Sequence, residues 1–301
     1  MGELIICGID ESDGGREALT VATSFAELLG ARLVPVHVLP DKPAVDHVQL
    51  ERDRRAAAER FGAISGPEAG ERREELLVES GAPAERLAAL ARERSAAMLV
   101  VGSRGRGALK RAVLGSVTGE LLAGSPCPVL VVPPGAVGRA ATRWARRPRP
   151  ASVLCGVDGS PESHAATDLA SNMAARMGKR LLLVYVYRPD TSHRGHASIL
   201  MHYPGLLWRE RDAGRKVLED ADQRLTRLPV PDLRLALGDP ARALRRLALR
   251  ERAELIVVGS RGRGAMRVVL SGSVAGALAA SAPAPVLVVP PSAVESEPVG
   301  I

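Results

Sequence analysis

Two glycine-rich segments of this 301-residue chain carry residue types and a spacing suited to holding an oxyanion. Each contains a glycine, two residues, a second glycine, nine further residues and a Gly-Ser pair. The positions are Gly102, Gly105, Gly115 and Ser116 in the first segment and Gly259, Gly262, Gly272 and Ser273 in the second. Glycines allow close backbone approach, and successive N–H groups can then cradle phosphate oxygens. We expect each Gly-Ser pair to begin a helix, whose free N–H groups and dipole favour a phosphate.

Two common phosphate-binding motifs do not fit these segments. A P-loop requires Lys and then Ser or Thr directly after its last glycine, whereas Gly107 is followed by Ala-Leu and Gly264 by Ala-Met. A dinucleotide-binding fingerprint follows the first strand of a βαβ unit, whereas these segments follow the fourth predicted strand of each half. The pattern therefore indicates another kind of polyphosphate site.

The chain consists of two copies of one domain. Residues 98–116 (MLVVGSRGRGALKRAVLGS) recur 157 residues later as 255–273 (LIVVGSRGRGAMRVVLSGS). A period this long excludes a solenoid and predicts two domains. The predicted limits are domain 1 over residues 1–135, an Arg- and Pro-rich linker over 136–150, domain 2 over 151–292 and a frayed tail over 293–301.

Strands and helices alternate within each half. The strands are nearly continuous apolar runs, which is typical of a parallel sheet with helices on both faces. We predict strands at 4–9, 32–39, 74–79, 98–101 and 129–132, and at 153–157, 180–187, 232–237, 255–258 and 286–289. Helices are predicted from Ser12, Pro83, Ser160 and Pro240, with Gly30 and Gly178 as left-handed C-caps. The fold class is α/β: two doubly wound sheets with a binding crevice at the carboxyl ends of their strands.

Composition narrows the class of protein further. No apolar run reaches the ~18 residues of a membrane-spanning helix, and residues 1–4 start no secretory signal, so we expect no membrane partner. Three cysteines do not make a disulfide framework, which favours a cytoplasmic protein. The net charge is +7, and five arginines of residues 139–149 supply most of that excess. Since only 2% of residues are aromatic, a stacking platform for single-stranded nucleic acid is disfavoured.

The chain resembles the universal stress protein family, in its tandem two-domain, ATP-binding branch, over essentially its whole length. The glycine pattern described above is the nucleotide-binding signature of that family and is intact in both halves. An aspartate follows the first strand of each half (Asp10 and Asp158), and Pro-Val-Leu-Val-Val-Pro closes each half. The resemblance implies two five-stranded, parallel, Rossmann-like domains of the adenine nucleotide alpha hydrolase-like type. Their final strands would pair into an internal pseudo-dimer.

The same resemblance implies roles for individual residues. Asp10 and Asp158 would contact the ribose of ATP, and the backbone of Val38 and Val186 would meet the adenine. The phosphates would lie on Gly102, Gly105, Gly115, Ser116 and Val117 in domain 1 and on Gly259, Gly262, Gly272, Ser273 and Val274 in domain 2. Mg²⁺ or Mn²⁺ would accompany the triphosphate.

The sequence alone allows a second interpretation for several residues. Asp10 could have a purely structural role, as the cap of the following turn. Arg104, Arg106, Arg261 and Arg263 could pair with phosphates or be solvated loop charges. Cys7 and Cys155 occupy equivalent strand positions typical of a buried core, and Cys127 has no partner spacing for metal or redox chemistry. His193, His196 and His202 form a loose cluster that we interpret as a lid or surface insertion rather than a zinc site.

We therefore expect a cytoplasmic ATP-binding protein that acts as a nucleotide-dependent sensor or regulator of the stress response, through a protein partner that the sequence does not identify. No catalytic residue is predicted. The alternatives are a slow ATPase or a nucleotidyl-transfer enzyme on the same fold and, with less support, a basic nucleic-acid-binding module. The sequence leaves open whether the chain forms a homodimer.

Overall fold

The computed structural model describes most of both halves of the chain. The described residues are 3–39, 51–52, 55–56, 59–61, 74–105, 114–136, 150–188, 204–225, 229–260, 262 and 274–292. The strands are β1 Leu4–Gly8, β2 Arg32–Leu39, β3 Leu77–Ser80, β4 Met98–Gly102, β5 Val129–Val132, β6 Ser152–Gly156, β7 Arg180–Tyr187, β8 Asp232–Leu237, β9 Ala253–Gly259 and β10 Val286–Val289. The helices are α1 Asp13–Leu29, α2 Pro83–Glu93, α3 Ser116–Gly124, α4 Pro161–Met177, α5 Pro204–Arg224, α6 Pro240–Arg250 and α7 Val274–Ser281. Residues 51–52, 55–56 and 59–61 are also helical.

The ten strands form one sheet in the order β3-β2-β1-β4-β5-β10-β9-β6-β7-β8. Pairing is parallel within each half. The two halves join where β5 and β10 run antiparallel, with Leu130 opposite Leu287. This arrangement confirms the predicted α/β class, the doubly wound parallel sheets and the internal pseudo-dimer.

Apolar side chains fill both faces of the sheet. In β1, Ile5 and Cys7 belong to the core on one face, and Leu4 and Ile6 belong to the core on the other. Each of these two cores includes residues from both halves of the chain. Burial on both faces explains why the strands read as continuous apolar runs in the sequence.

The helix ends follow the local sequence signals. Ser12 and Ser160 are N-caps whose hydroxyl oxygens accept hydrogen bonds from the N–H groups of Gly15 and Ser163. Gly30 and Gly178 close α1 and α4 in the left-handed conformation, as predicted. The strand predicted at 74–79 begins later in the chain than expected, as β3 at Leu77–Ser80. Glu74 donates its N–H to the Leu33 carbonyl, but regular pairing starts only at Leu77, opposite Val36.

All three cysteines are buried and none forms a disulfide. Cys7 and Cys155 lie in the core of β1 and β6, as predicted, and Cys127 is buried just before β5. Within the described residues, no helix is both long and apolar enough to cross a membrane.

Candidate nucleotide-binding site

The candidate site of domain 1 lies at the carboxyl ends of β1 and β4. The chain leaves β1 towards β2 on one side and returns to β4 on the other. Connections that diverge in this way open a crevice between neighbouring strands, which is where doubly wound sheets bind ligands. Asp10 follows β1, Gly102 ends β4 and Val38 lies near the end of β2. Because these strands are parallel neighbours, all three predicted residues lie where the strands end, on the same side of the sheet.

The Asp10 carboxylate uses its two oxygens differently. Oδ1 accepts hydrogen bonds from the backbone N–H of Ser12, at 3.1 Å, and from the Ser12 hydroxyl. Oδ2 faces Gly105, because a Cβ atom added at Gly105 would lie only 2.5 Å from it. The expected turn-capping role of Asp10 is therefore present on one oxygen, and the other points to the glycine-rich loop.

Domain 2 repeats this arrangement between β6 and β9. Asp158 Oδ1 accepts from the Ser160 N–H at 2.9 Å and from its hydroxyl at 2.6 Å. A Cβ atom added at Gly262 would overlap Asp158 Oδ2. Val186 lies near the carboxyl end of β7, which flanks β6 as β2 flanks β1.

Glycines let the loop after β4 lie directly on the first turn of α1. A Cβ atom at Gly102 would lie 2.8 Å from the carbonyl oxygen of Gly14, and one at Gly14 would lie 2.7 Å from that of Arg104. Contacts this short exclude any side chain at either position. They hold the glycine-rich loop next to the Asp10 turn.

The loop leads into the N-terminus of α3. Gly115 is the N-cap, in extended conformation, and donates its N–H to the Ser103 carbonyl at 2.9 Å. Thr118, in the first turn of α3, donates its hydroxyl to the Gly102 carbonyl at 2.8 Å. These bonds fix the start of α3, whose first N–H groups have no partner within the helix, over the end of β4. Ser116 and Val117 are the first two residues of that helix, as the motif predicts.

The sequence as a whole matches the family model of the universal stress protein family, over residues 1–133 and 151–290. The chain belongs to the universal stress protein family.

Relatives cover both halves of this universal stress protein. It is 33% identical to a universal stress protein of Mycolicibacterium smegmatis over 95% of this chain and 97% of the relative. It is 36% identical to one from Mycobacterium tuberculosis over 64% of this chain, a match that spans 61% of that relative. Among solved structures, a universal stress protein from Archaeoglobus fulgidus superposes with a TM-score of 0.61 at 18% identity, covering 95% of this chain and 98% of that one, which shows the shared fold.

Not every predicted site residue lies in the described part of this universal stress protein. Gly259 ends β9 and Val274 begins α7, but Gly272 and Ser273 lie outside the described residues. The same holds for the other singled-out residues, namely Arg106, Arg261, Arg263, His193, His196 and His202.

Ser103 and Ser260 were not singled out by the sequence analysis. Their hydroxyls are buried, and neither has a hydrogen-bond partner among the described residues. Each serine directly follows the first glycine of its motif. A signal for them was available, because Gly-Ser-Arg-Gly recurs unchanged in both halves.

Gly14 was also missed, and here the repeat offers no signal. The equivalent position in domain 2, 148 residues later, is Glu162. The need for glycine at residue 14 comes from its contacts with Gly102 and Arg104, which only the folded structure shows.

Arg104 makes a contact that the sequence did not suggest. Its Nη2 donates to the Ala280 carbonyl at 3.1 Å, at the end of α7 in the other domain. The side chain of this loop residue therefore lies at the contact between domains rather than in solvent.

The two domains differ beside their aspartate turns. In domain 1, Arg60 pairs with Glu11 at 3.0 Å, next to Asp10. In domain 2 the residue equivalent to Glu11 is Gly159, where a Cβ atom would lie 3.4 Å from the Val217 side chain. There an open cleft of about 430 Å³ is lined by Gly159, His164, Val217, Asp220, Gln223 and Arg224. Partial burial raises the pKa of the neighbouring Asp168 carboxyl, and the positive charge of Arg224 and His164 opposes this shift.

Proposed function

We propose that this universal stress protein binds ATP in both domains and acts as a nucleotide-dependent regulator. The observation that carries the proposal is the convergence of Asp10 Oδ2, Gly105 and the N-terminus of α3 on one crevice. The crevice thus offers a carboxylate that accepts hydrogen bonds, a backbone without side chains and a helix end that attracts anions.

Each part of the crevice fits one part of ATP. Asp10 Oδ2 would accept hydrogen bonds from ribose hydroxyls, as acidic residues do at other nucleotide sites. The N–H groups of Ser116 and Val117 would donate to phosphate oxygens, with the helix dipole adding to the attraction. The backbone of Val38, at the end of the adjacent strand, would meet the adenine.

The buried serine of the motif supports the same ligand. A buried hydroxyl without a partner is unfavourable, and native proteins usually satisfy such groups with water or a ligand. Among the described residues the Ser103 hydroxyl has no hydrogen-bond partner, and the Ser103 carbonyl already holds the N-cap of α3. A phosphate group with a bridging water would supply the missing partner.

A divalent cation would neutralise the triphosphate. Within the described residues, no group of three His, Cys, Asp or Glu side chains is arranged to hold a metal ion. We therefore propose that Mg²⁺ or Mn²⁺ is coordinated largely by phosphate oxygens and water, as Mg²⁺ usually is at nucleotide sites.

ATP would regulate this protein by binding to its folded state and not to the unfolded chain. ATP at 100 times its Kd would stabilise the fold by about 2.7 kcal/mol per site. The glycine-rich loops, which the phosphates would contact, would be held in one conformation. A partner protein that recognises this conformation would then respond to ATP.

The test uses a substitution that blocks the crevice without touching the core. In the Gly105→Ala/Gly262→Ala variant, each new methyl group displaces an aspartate carboxylate whose other oxygen is fixed by the turn. We expect ATP affinity, measured by titration calorimetry, to fall about 10- to 100-fold, the equivalent of one hydrogen bond to a charged group. Mass spectrometry of nucleotide released from the purified unsubstituted chain is expected to find ATP.

Gly119→Ala is the matched control. Gly119 lies within α3, and a Cβ atom there would meet nothing within 4 Å. We expect unchanged ATP binding and a gain in stability of about 0.5–1 kcal/mol from the better helix former. Equal ATP affinity in the control and the double variant, or no ATP binding by the unsubstituted chain, would show the proposal to be wrong. Release of ADP alone would favour the ATPase alternative.

A further inference from the structure

The end of α7 has a carbonyl group that the other domain satisfies. The last carbonyls of a helix lack partners within the helix. In α7 the Leu278 carbonyl is taken by the Ala282 N–H at 2.8 Å. The Ala280 carbonyl accepts instead from Arg104 Nη2 at 3.1 Å, and Ala280 is only 6% exposed. A cation at this end also complements the negative end of the helix dipole.

The backbone of Arg104 belongs to the candidate site of domain 1. Its neighbours are Ser103, which holds the N-cap of α3, and Gly105, which faces Asp10 Oδ2. Its own carbonyl lies against Gly14. Arg104 therefore connects the glycine-rich loop of domain 1 to the end of α7 in domain 2.

A second contact joins the domains in the opposite direction. Ser292, just after β10, donates its hydroxyl to the Ser125 carbonyl at 2.6 Å, directly after the end of α3. Helices α3 and α7 occupy equivalent positions, each following the glycine motif of its own domain. Each of them thus ends against a residue of the other domain.

We propose that Arg104 is a positioning residue that makes the nucleotide site of domain 1 depend on domain 2. This inference rests on the proposed ATP binding. ATP that holds the Gly102–Gly105 loop also holds Arg104 where its guanidinium reaches the Ala280 carbonyl. By linkage, the same contact stabilises the loop before ATP arrives, so the effect is reciprocal.

The experiment uses the full chain with Asp158→Ala, which is expected to weaken ATP binding in domain 2 about 10- to 100-fold, and an ATP concentration that saturates domain 1 but lies well below the Kd of the weakened site. At this concentration ATP is expected to slow amide hydrogen exchange in α7, at residues 278–282, as well as in the loop of domain 1. This measurement leaves Arg104 in place, so it tests the inference even if a substitution at Arg104 impairs folding.

Substitutions at Arg104 then separate positioning from general stability. In the same chain, Arg104→Ala is expected to weaken ATP binding about fivefold or more, the lower range of typical coupling effects. When domain 1 is saturated with ATP, Arg104→Ala is also expected to remove the protection of α7 from hydrogen exchange. Arg104→Lys keeps a cationic donor and is expected to retain most of the ATP affinity and most of the protection. Arg92→Ala removes an exposed arginine from the last turn of α2 and is expected to change neither.

The outcomes distinguish the two proposals. Two results would show that the proposed positioning role of Arg104 is wrong while ATP binding stands. One is that ATP protects only domain 1 in the chain that retains Arg104, and the other is that the Arg104→Ala variant binds ATP with unchanged affinity. If the unsubstituted chain binds no ATP, the proposed function itself fails.

Discussion

At the scale of single residues, Asp10 shows how one carboxylate can serve structure and ligand together. Oδ1 closes the turn with Ser12, which is also the N-cap of α1. This fixes the direction of Oδ2, since the carboxylate can no longer rotate without losing the turn. The cap is thus what would pre-organise the second oxygen for a ribose. Asp158 and Ser160 do the same in domain 2.

The buried cysteines allow a prediction about pH. Burial raises the pKa of Cys127 and of Cys155 from 9.0 to about 12. Only the thiolate reacts with disulfide reagents, so at pH 8 both thiols are expected to be unreactive in the folded protein and to react rapidly in denaturant. Ellman's reagent, added before and after unfolding, measures this difference. Rapid labelling of either thiol in the folded state would contradict the burial.

The same shift sets a direction for stability. A thiol whose pKa is higher in the folded state stays protonated there, whereas the unfolded thiol ionises from about pH 9. Its contribution is therefore complete below pH 9 and is lost as the pH rises from 9.0 towards 12.

At the scale of elements, α4 allows a test of its C-cap. Gly178 has a φ of 61°, and a Cβ atom there would meet nothing within 4 Å. Gly178→Ala therefore adds no clash, and its cost is conformational, about 1 kcal/mol. Gly124→Ala adds a methyl group into equally open space at the end of α3, where φ is not positive. Urea unfolding is expected to show a loss of stability for the first variant only, and equal midpoints would contradict the assignment.

The sequence predicted the central strands well because they are buried on both faces. Bounds such as Arg32–Leu39 and Val286–Val289 coincide with continuous apolar runs. The edge strand β3 was predicted less well, because its residues are half-buried and regular pairing starts only at Leu77. The other edge strand, β8, was predicted at its exact bounds, 232–237, although it too pairs on one side only. An edge position alone therefore does not decide how well the sequence predicts a strand.

Residues of the candidate site could be predicted from the sequence where their role depends on local spacing, and not where it depends on contacts between distant segments. The motif glycines and the aspartates could be found because each sits at a fixed distance from a strand end. The contact of Arg104 with Ala280 could not, because it joins residues 176 positions apart through the pairing of two domains. Gly14 escaped because its requirement comes from the backbone of another loop.

At the scale of the whole molecule, the pairing of β5 with β10 covers what would otherwise be two apolar edges. Val129–Val132 and Val286–Val289 are both Val-Leu-Val-Val, and all eight residues are buried. Exposed apolar edge strands invite association with other chains. The outer edges of the sheet, β3 and β8, instead carry charged residues such as Glu79 and Arg234 and are partly exposed.

This architecture predicts that the two halves stay together without a covalent connection. A specific protease site inserted between residues 137 and 149 would allow the folded chain to be cut there. We expect the two fragments to co-elute at the size of the intact 31.7 kDa chain, because backbone pairing and the shared apolar cores join them. In denaturant the same fragments should separate, which serves as the control. Separation under native conditions would mean that the covalent connection, rather than the continuous sheet, holds the two halves together, and the contact of Arg104 with Ala280 would then be lost on cutting as well.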